Sequence, residues 1–121
     1  MLAVFLFLRW KPSYKTGMSG APEYQLLGWL HAVLPIVPLG RDRKKQPFVV
    51  LTETPRPQYI LLEAHGPLIE TLQKIPLQAR VAVRFALEGW LWHPPQGNAR
   101  YVVRLVALEI DRIKENIPTG S

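Results

Sequence analysis

The sequence predicts an all-β fold, a closed five-stranded Greek-key barrel with one short helix between strands 3 and 4. Three observations predict it. After an opening strand, the pattern from Gln46 to Ile110 runs strand, strand, short helix, strand, strand. Proline and glycine fall where those segments must turn or stop. Tryptophan and arginine, rather than a nucleophile, are set on the strands.

Each element has a local cause. Lys11 to Glu23 is rich in Pro, Gly, Ser and Thr and reads as a linker. Tyr24 to Leu34 is the first strand. Gly28 stands where it can bend sharply, and Pro35 and Pro38 end it. Leu39 to Gln46 is a loop. Phe48 to Thr52, β-branched and aromatic, is the second strand. A tight connection over Thr54 to Pro57 leads to the third, Gln58 to Ala64. There Tyr59, Leu61 and Glu63 share one face, and Ile60, Leu62 and Ala64 the other. Gly66-Pro67 opens a helix. Its stripe is Leu68, Ile69, Leu72 and Ile75, and Pro76 stops it. Arg80 to Trp92 is the fourth strand, with Val81, Val83, Phe85 and Leu87 on one face and a kink expected at Gly89. His93 to Ala99 is a hairpin tip. Arg100 to Ile110 returns, with Tyr101, Val103, Leu105 and Ala107 on one face and Val102, Arg104, Val106 and Leu108 on the other. Two largely apolar faces imply burial on both sides, by the helix, another subunit or an N-terminal arm. Five strands with a lone helix between the third and fourth is the order of the OB-fold, whose face and loops hold oligonucleotides or oligosaccharides.

The chain divides into an N-terminal arm and linker over 1–22, a barrel over 23–113 and a polar tail over 114–121. The apolar run Leu2 to Leu8 is too short to cross a bilayer, which takes about 20 residues. Arg9, Lys11 and Lys15 follow it rather than precede it, unlike a secretory leader. It reads as an extra strand or arm, or as sequence upstream of a start at Met18, and the second reading is preferred. No membrane association is expected, and a cytoplasmic location is.

The 121 residues suffice for one domain with its own core. Fifteen Lys and Arg oppose nine Asp and Glu, giving a net charge of +6 and a pI near 10.0. Such a domain is attracted to polyanions, although surplus charge also serves solubility. Without cysteine there is no disulfide, thiol nucleophile or cysteine metal site. Ser13, Ser19 and Ser121 lie in linker or tail, with no G-x-S-x-G elbow. His31, His65 and His93 lack metal-ligand spacing. No enzyme activity, metal or cofactor is expected.

Three constellations carry the binding chemistry. Arg41, Arg43, Lys44 and Lys45 put four cations within five residues, enough to neutralise phosphates and release counterions; a solvated turn is the alternative. Arg80, Arg84, Arg100 and Arg104 fall on two strands that pair through the hairpin. They form either a stripe that tracks a nucleic-acid backbone or a set of cross-strand ion pairs. Arg84 and Arg104, central in their strands, also suit a subunit interface. Trp90 and Trp92 share a face and suit base stacking or packing in a core or interface. Phe48, Trp29 and Tyr59 are further aromatic candidates.

The segments QLLGWL (25–30), KKQPFVVLTE (44–53), PQYILLEAHG (57–66), LIETLQKI (68–75), VAVRFALEGWLW (81–92) and YVVRLVALEI (101–110) together resemble the bacterial single-stranded-DNA-binding protein (SSB) family. The resemblance is closest to the short SSB-like proteins of cyanobacteria and plastids. His65-Gly66 and Glu88-Gly89-Trp90 are its more specific steps. It implies an OB-fold, assembly into a homo-dimer or homo-tetramer, no catalysis, and binding of single-stranded DNA across the sheet and its long hairpins. Two features depart from the family. The closing ENIPTGS has no acidic tip, so partner recruitment is not carried over. The loop between the first two strands is shorter and more basic. The expectation is largely sequence-independent binding of single-stranded DNA. An interaction module in a replication or repair complex, and RNA binding, are the alternatives.

Overall fold

The computed structural model describes residues 20–114. The readings of Leu2 to Leu8, Met18 and the final tail lie outside them. The elements are β1 (Glu23–Val33), β2 (Val37–Pro38), β3 (Lys44–Thr52), β4 (Tyr59–His65), α1 (Leu68–Gln73), β5 (Arg80–Trp92) and β6 (Arg100–Arg112). Hydrogen bonding runs β1-β5-β6-β4-β3 and returns from β3 to β1, so the sheet closes on itself. The β4–β6 contact, at Glu63 opposite Val106, is parallel. All other pairings are antiparallel. This is the OB-fold barrel, with β2 as a two-residue addition that pairs Val37 and Pro38 with Lys45 and Lys44.

Closure requires β1 to serve two partners. It pairs with β5 from Glu23 to Trp29 and with β3 from Gly28 to Val33. Gly28 is the crossover. A Cβ there would lie 2.2 Å from the Leu51 carbonyl oxygen and 2.7 Å from Val50 Cγ1, so only glycine lets the strands approach. The bend expected at Gly28 is not where β1 becomes irregular: the register with β3 runs evenly through Gly28 and shifts between Leu30 and Ala32.

Alternation fills the interior. Gln46, Phe48, Val50 and Thr52 of β3 point inward. They meet Leu62 and Ala64 of β4, Val81 and Val83 of β5, and Leu30 of β1. Ile69 and Leu72 of α1, which packs against β4 and β6, complete the core as a plug. Buried Gln46 is satisfied: its Nε2 donates to the Leu34 carbonyl at 3.0 Å and its Oε1 accepts from Gln73 Nε2 at 3.1 Å.

Several expectations need correction. The second strand begins at Lys44 rather than Phe48, because β2 and β4 supply partners for residues 44–47. The register runs without a shift through Gly89, where a Cβ would have ordinary room. The irregularity lies opposite the Arg84–Phe85 step, where β6 passes from Glu109 to Ala107 and leaves Leu108 as the extra residue. That bulge turns both Ala107 and Ile110 inward. The return strand is not buried on both faces: Tyr101 is 87% exposed and Val103 66%.

Pairing of β5 with β1 stops at Ala86, and β6 meets β4 only at Val106. Residues 87–92 and 100–105 therefore project as a two-stranded arm, about 20 Å long at strand rise.

Replacing Gly28 with Ala is expected to destabilise the fold by about 3 kcal/mol or more, because the obstructing atom is backbone and cannot turn aside. Urea unfolding reads this directly. An unchanged midpoint would refute the closure argument.

Candidate nucleic-acid interface

The outward positions of β3 and β4 form one continuous face. Lys45 sits opposite His65, Pro47 opposite Glu63, Val49 opposite Leu61 and Leu51 opposite Tyr59. Tyr59 is 65% exposed and Leu61 55%. The exposed His31 of β1 meets the Tyr59 ring edge-on, with centroids 4.9 Å apart. The loop over 39–43 bounds the face where β3 begins and β4 ends. Because β4 and β6 run parallel, the arm departs from the opposite end, beside the 53–58 turn. In an OB-fold this face and these two loops are where oligonucleotides are held.

The predicted cations divide by their partners. Arg41, Arg43 and Lys44 are exposed and have no ion pair among the described residues. Lys45 points onto the face but donates from Nζ to Glu63 Oε2 at 2.9 Å. Arg84 donates from Nη1 to Glu23 Oε1 at 2.8 Å and lies 3.6 Å from Glu109, on the β1–β5–β6 side of the barrel. Arg104 donates from Nε to Glu88 Oε1 at 2.9 Å and lies 3.9 Å from Glu63. Arg80 grips Glu53 through Nε and Nη2 at 2.5 and 2.6 Å. Cross-strand ion pairing is thus what Arg80, Arg84 and Arg104 do in the free protein. Arg100 has no ion pair among the described residues.

On the arm, Trp92 lies directly opposite Arg100, and its ring centroid is 6.0 Å from that guanidinium. Trp90 has Arg104 at 5.2 Å. The indoles are 43% and 45% exposed, open on the outer face of the ribbon. Each cation–π contact contributes about 0.5–1 kcal/mol at such sites. It holds the indole in place on the ribbon.

Phe48 does not belong to the site. It is fully buried against the core and cannot reach a ligand. Its parity matches Val50 and Leu62, not the outward Val49 and Leu61. Sequence alone does not single out Leu61 or His31. Strand alternation marks Leu61 once Tyr59 is placed outside. His31 joins the face only through the β1–β3 pairing and its contact with Tyr59 beside the 53–58 turn. That turn is fixed by the Gln58 N–H donating to Thr52 Oγ1 at 2.8 Å.

Glu63 organises the centre. Burial pushes its carboxyl up. Hydrogen bonds from Lys45 and His65, with the charges of Lys45 and Arg104, outweigh burial and hold it below its ordinary value of 4.5. The folded pKa is depressed, so the contribution to stability is present above 4.5 and is lost as pH falls through the lowered value. Glu63→Gln is expected to reduce stability at neutral pH and to flatten its decline below 4.5. Urea midpoints at neutral and acid pH measure both effects. A variant that keeps the parental acid slope would contradict the assignment.

Comparison with solved structures places the barrel among known folds. It superposes on the mitochondrial single-stranded DNA binding protein Rim1 of S. cerevisiae with a TM-score of 0.64 at 11% identity, covering 79% of this chain and 99% of that one. For a deletion mutant of the single-stranded DNA binding protein of Thermus aquaticus the TM-score is 0.63 at 16% identity, covering 82% of this chain and 44% of that one. The chain therefore spans less than half of the Thermus protein. The N-terminal domain of PriB from Thermoanaerobacter tencongensis, a dimeric structure, gives 0.59 at 16% identity, with coverages of 77% and 97%. At these identities the likeness is one of fold. No curated protein sequence matches. A sequence family does, over residues 25–111, and the chain belongs to that family, described as a domain of unknown function, DUF3127.

Proposed function

We propose that this barrel binds single-stranded DNA with little dependence on sequence and catalyses no reaction. One observation carries the reading. The exposed Tyr59 stands on an open β3–β4 face, between the unpaired cations of the 41–44 segment and the Trp–Arg arm. Arg41, Arg43, Lys44 and Arg100 would grip phosphates, while Tyr59, Trp90 and Trp92 would stack bases. The barrel shared with single-stranded DNA binding proteins supports this reading. Kinship with short SSB-like proteins, a cytoplasmic location and assembly into a homo-dimer or homo-tetramer belong to the same proposal. Competition between DNA and RNA of equal length separates the two polymers.

A specific observation favours a second reading, docking of a protein. The inner face of the arm carries Leu87, Leu91, Tyr101 and Val103, all exposed and none charged. Such a face suits a neutral, apolar partner in a replication or repair complex.

Titration with labelled oligo-dT tests the first reading. The parent is expected to bind, with tryptophan quenching that weakens steeply as salt rises. Replacing Arg41, Arg43 and Lys44 together with Ala is expected to reduce the salt slope by about 2, at roughly 0.7 per phosphate contact. Tyr59→Ala or Trp90→Ala should cost about 1–3 kcal/mol of binding with the slope nearly unchanged. Absence of binding at low salt would remove the proposal. Parental behaviour in every variant would remove the site.

A further inference from the structure

A second cationic cleft lies across β1 from the β3–β4 face. Trp29, Gln78, Ala79, Arg80, Arg112 and Lys114 line it, with Ile113 between the last two, around a volume of about 460 Å³. Its floor is fixed by backbone bonds. The Gln78 N–H donates to the Leu30 carbonyl at 2.8 Å, the Leu30 N–H to the Ala79 carbonyl at 2.9 Å, and the Ile113 N–H to the Arg80 carbonyl at 2.8 Å. Between these ties Gln78 holds a φ of 72°, a left-handed conformation unusual for a residue with a side chain. Backbone held in such a state is a recurrent feature of ligand sites.

The charge of the cleft is unbalanced. Glu53 offsets Arg80, but Arg112 and Lys114 have no ion pair among the described residues. The neighbouring hollow on the same side of the barrel has the opposite character, with Glu23, Glu109 and Asp111 around Arg84. A polyanion in the cleft would be repelled from that hollow. The open direction is toward β3 and β4. Arg80 is the cross-strand neighbour of Trp29, Trp29 of Leu51, and Leu51 of Tyr59, so one row of outward side chains joins the cleft to the candidate face. At strand spacing Tyr59 and Trp29 are about 10 Å apart.

We infer that the cleft is a second contact for single-stranded nucleic acid, holding phosphate between Arg112 and Lys114 and a base against Trp29. It continues the path of a strand that crosses Tyr59. This rests on the proposed single-strand binding, and it adds that the footprint wraps past β1 and stops at the acidic hollow.

The test uses the full chain and oligo-dT of two lengths, about 6 nucleotides, near the short end of what one OB barrel holds, and about 20, beyond its long end. Parent and the double variant Arg112→Ala, Lys114→Ala are titrated at two ionic strengths, with circular dichroism to check that both are folded. For the long oligomer, the variant should lose about tenfold in affinity at low salt and about 1.4 in salt slope, two contacts at roughly 0.7 each. The short oligomer should bind both proteins alike. If the parent binds both lengths and the variant binds the long one equally well, the second contact is overturned and the first stands. A loss equal at both lengths overturns it too, since it would report overall charge. A parent that binds neither length overturns the single-strand reading and this inference with it.

Discussion

The architecture depends on one strand bonding along both of its edges. β1 can do so because Gly28 lets the Leu51 carbonyl occupy the space of a side chain. With that contact the ring β1-β5-β6-β4-β3 closes, and each strand acquires an inside and an outside. Closure removes the free edges of an open sheet. It also divides labour by parity. Inward residues supply the apolar core, and outward residues are released from packing and can meet a ligand. Trp29, Leu51 and Tyr59 lie side by side on the outside because the same β1–β3 pairing aligns them.

Charge is sorted by the same geometry. Glu23, Glu53, Glu63, Glu88 and Glu109 each face an arginine or lysine from another strand. These pairs lie on the barrel wall, where strand spacing brings side chains within reach. Arg41, Arg43 and Lys44, the arm position Arg100, and Arg112 and Lys114 at the end of β6 have no ion pair among the described residues. The positive surplus is thus concentrated at the ends of strands. Exposed ion pairs contribute little to stability, typically under about 1 kcal/mol. Their clearer effect is to keep the wall near neutral and the loops positive.

Much of this was legible in the sequence, and the failures share a cause. β5 and β6 could be read from alternation and from the Pro-Pro and Gly-Asn hairpin tip. Tyr59 could be placed outside by its parity with Leu61 and Glu63. The start of β3 could not, because Lys44 to Pro47 looks like a loop until β2 and β4 are seen to pair with it. Phe48 is a candidate by residue type alone, and the polar Gln46 two residues before it gives no sign that this face of the strand is the inner one. The sequence does not reveal that Gln46 is buried and satisfied by Leu34 and Gln73. The Leu108 bulge was equally hidden, since both faces of that strand are apolar and no glycine marks the extra residue. For the arginines of β5 and β6 the sequence leaves open ion pairs or a binding stripe. Choosing between these needs Glu23 and Glu63, which are distant in sequence.

The arm sets a requirement of its own. A two-stranded ribbon is marginal in water, yet this one leaves the barrel with large apolar side chains on both faces. The outer face is braced from within by the contacts of Arg100 with Trp92 and Arg104 with Trp90. The inner face has no such bracing: Tyr101 and Val103 are its most exposed residues, and Gly89 opposite Val103 offers no side chain to cover them. The two faces therefore suit chemically different neighbours, an anion with flat rings on one and a neutral apolar surface on the other. Nucleic acid satisfies the first description alone. An arm used only to hold a polynucleotide would gain nothing from Leu91, Tyr101 and Val103, and polar residues there would make it more soluble. The asymmetry ties whatever covers the inner face to the geometry of the indoles behind it, since both are carried by the same twelve residues.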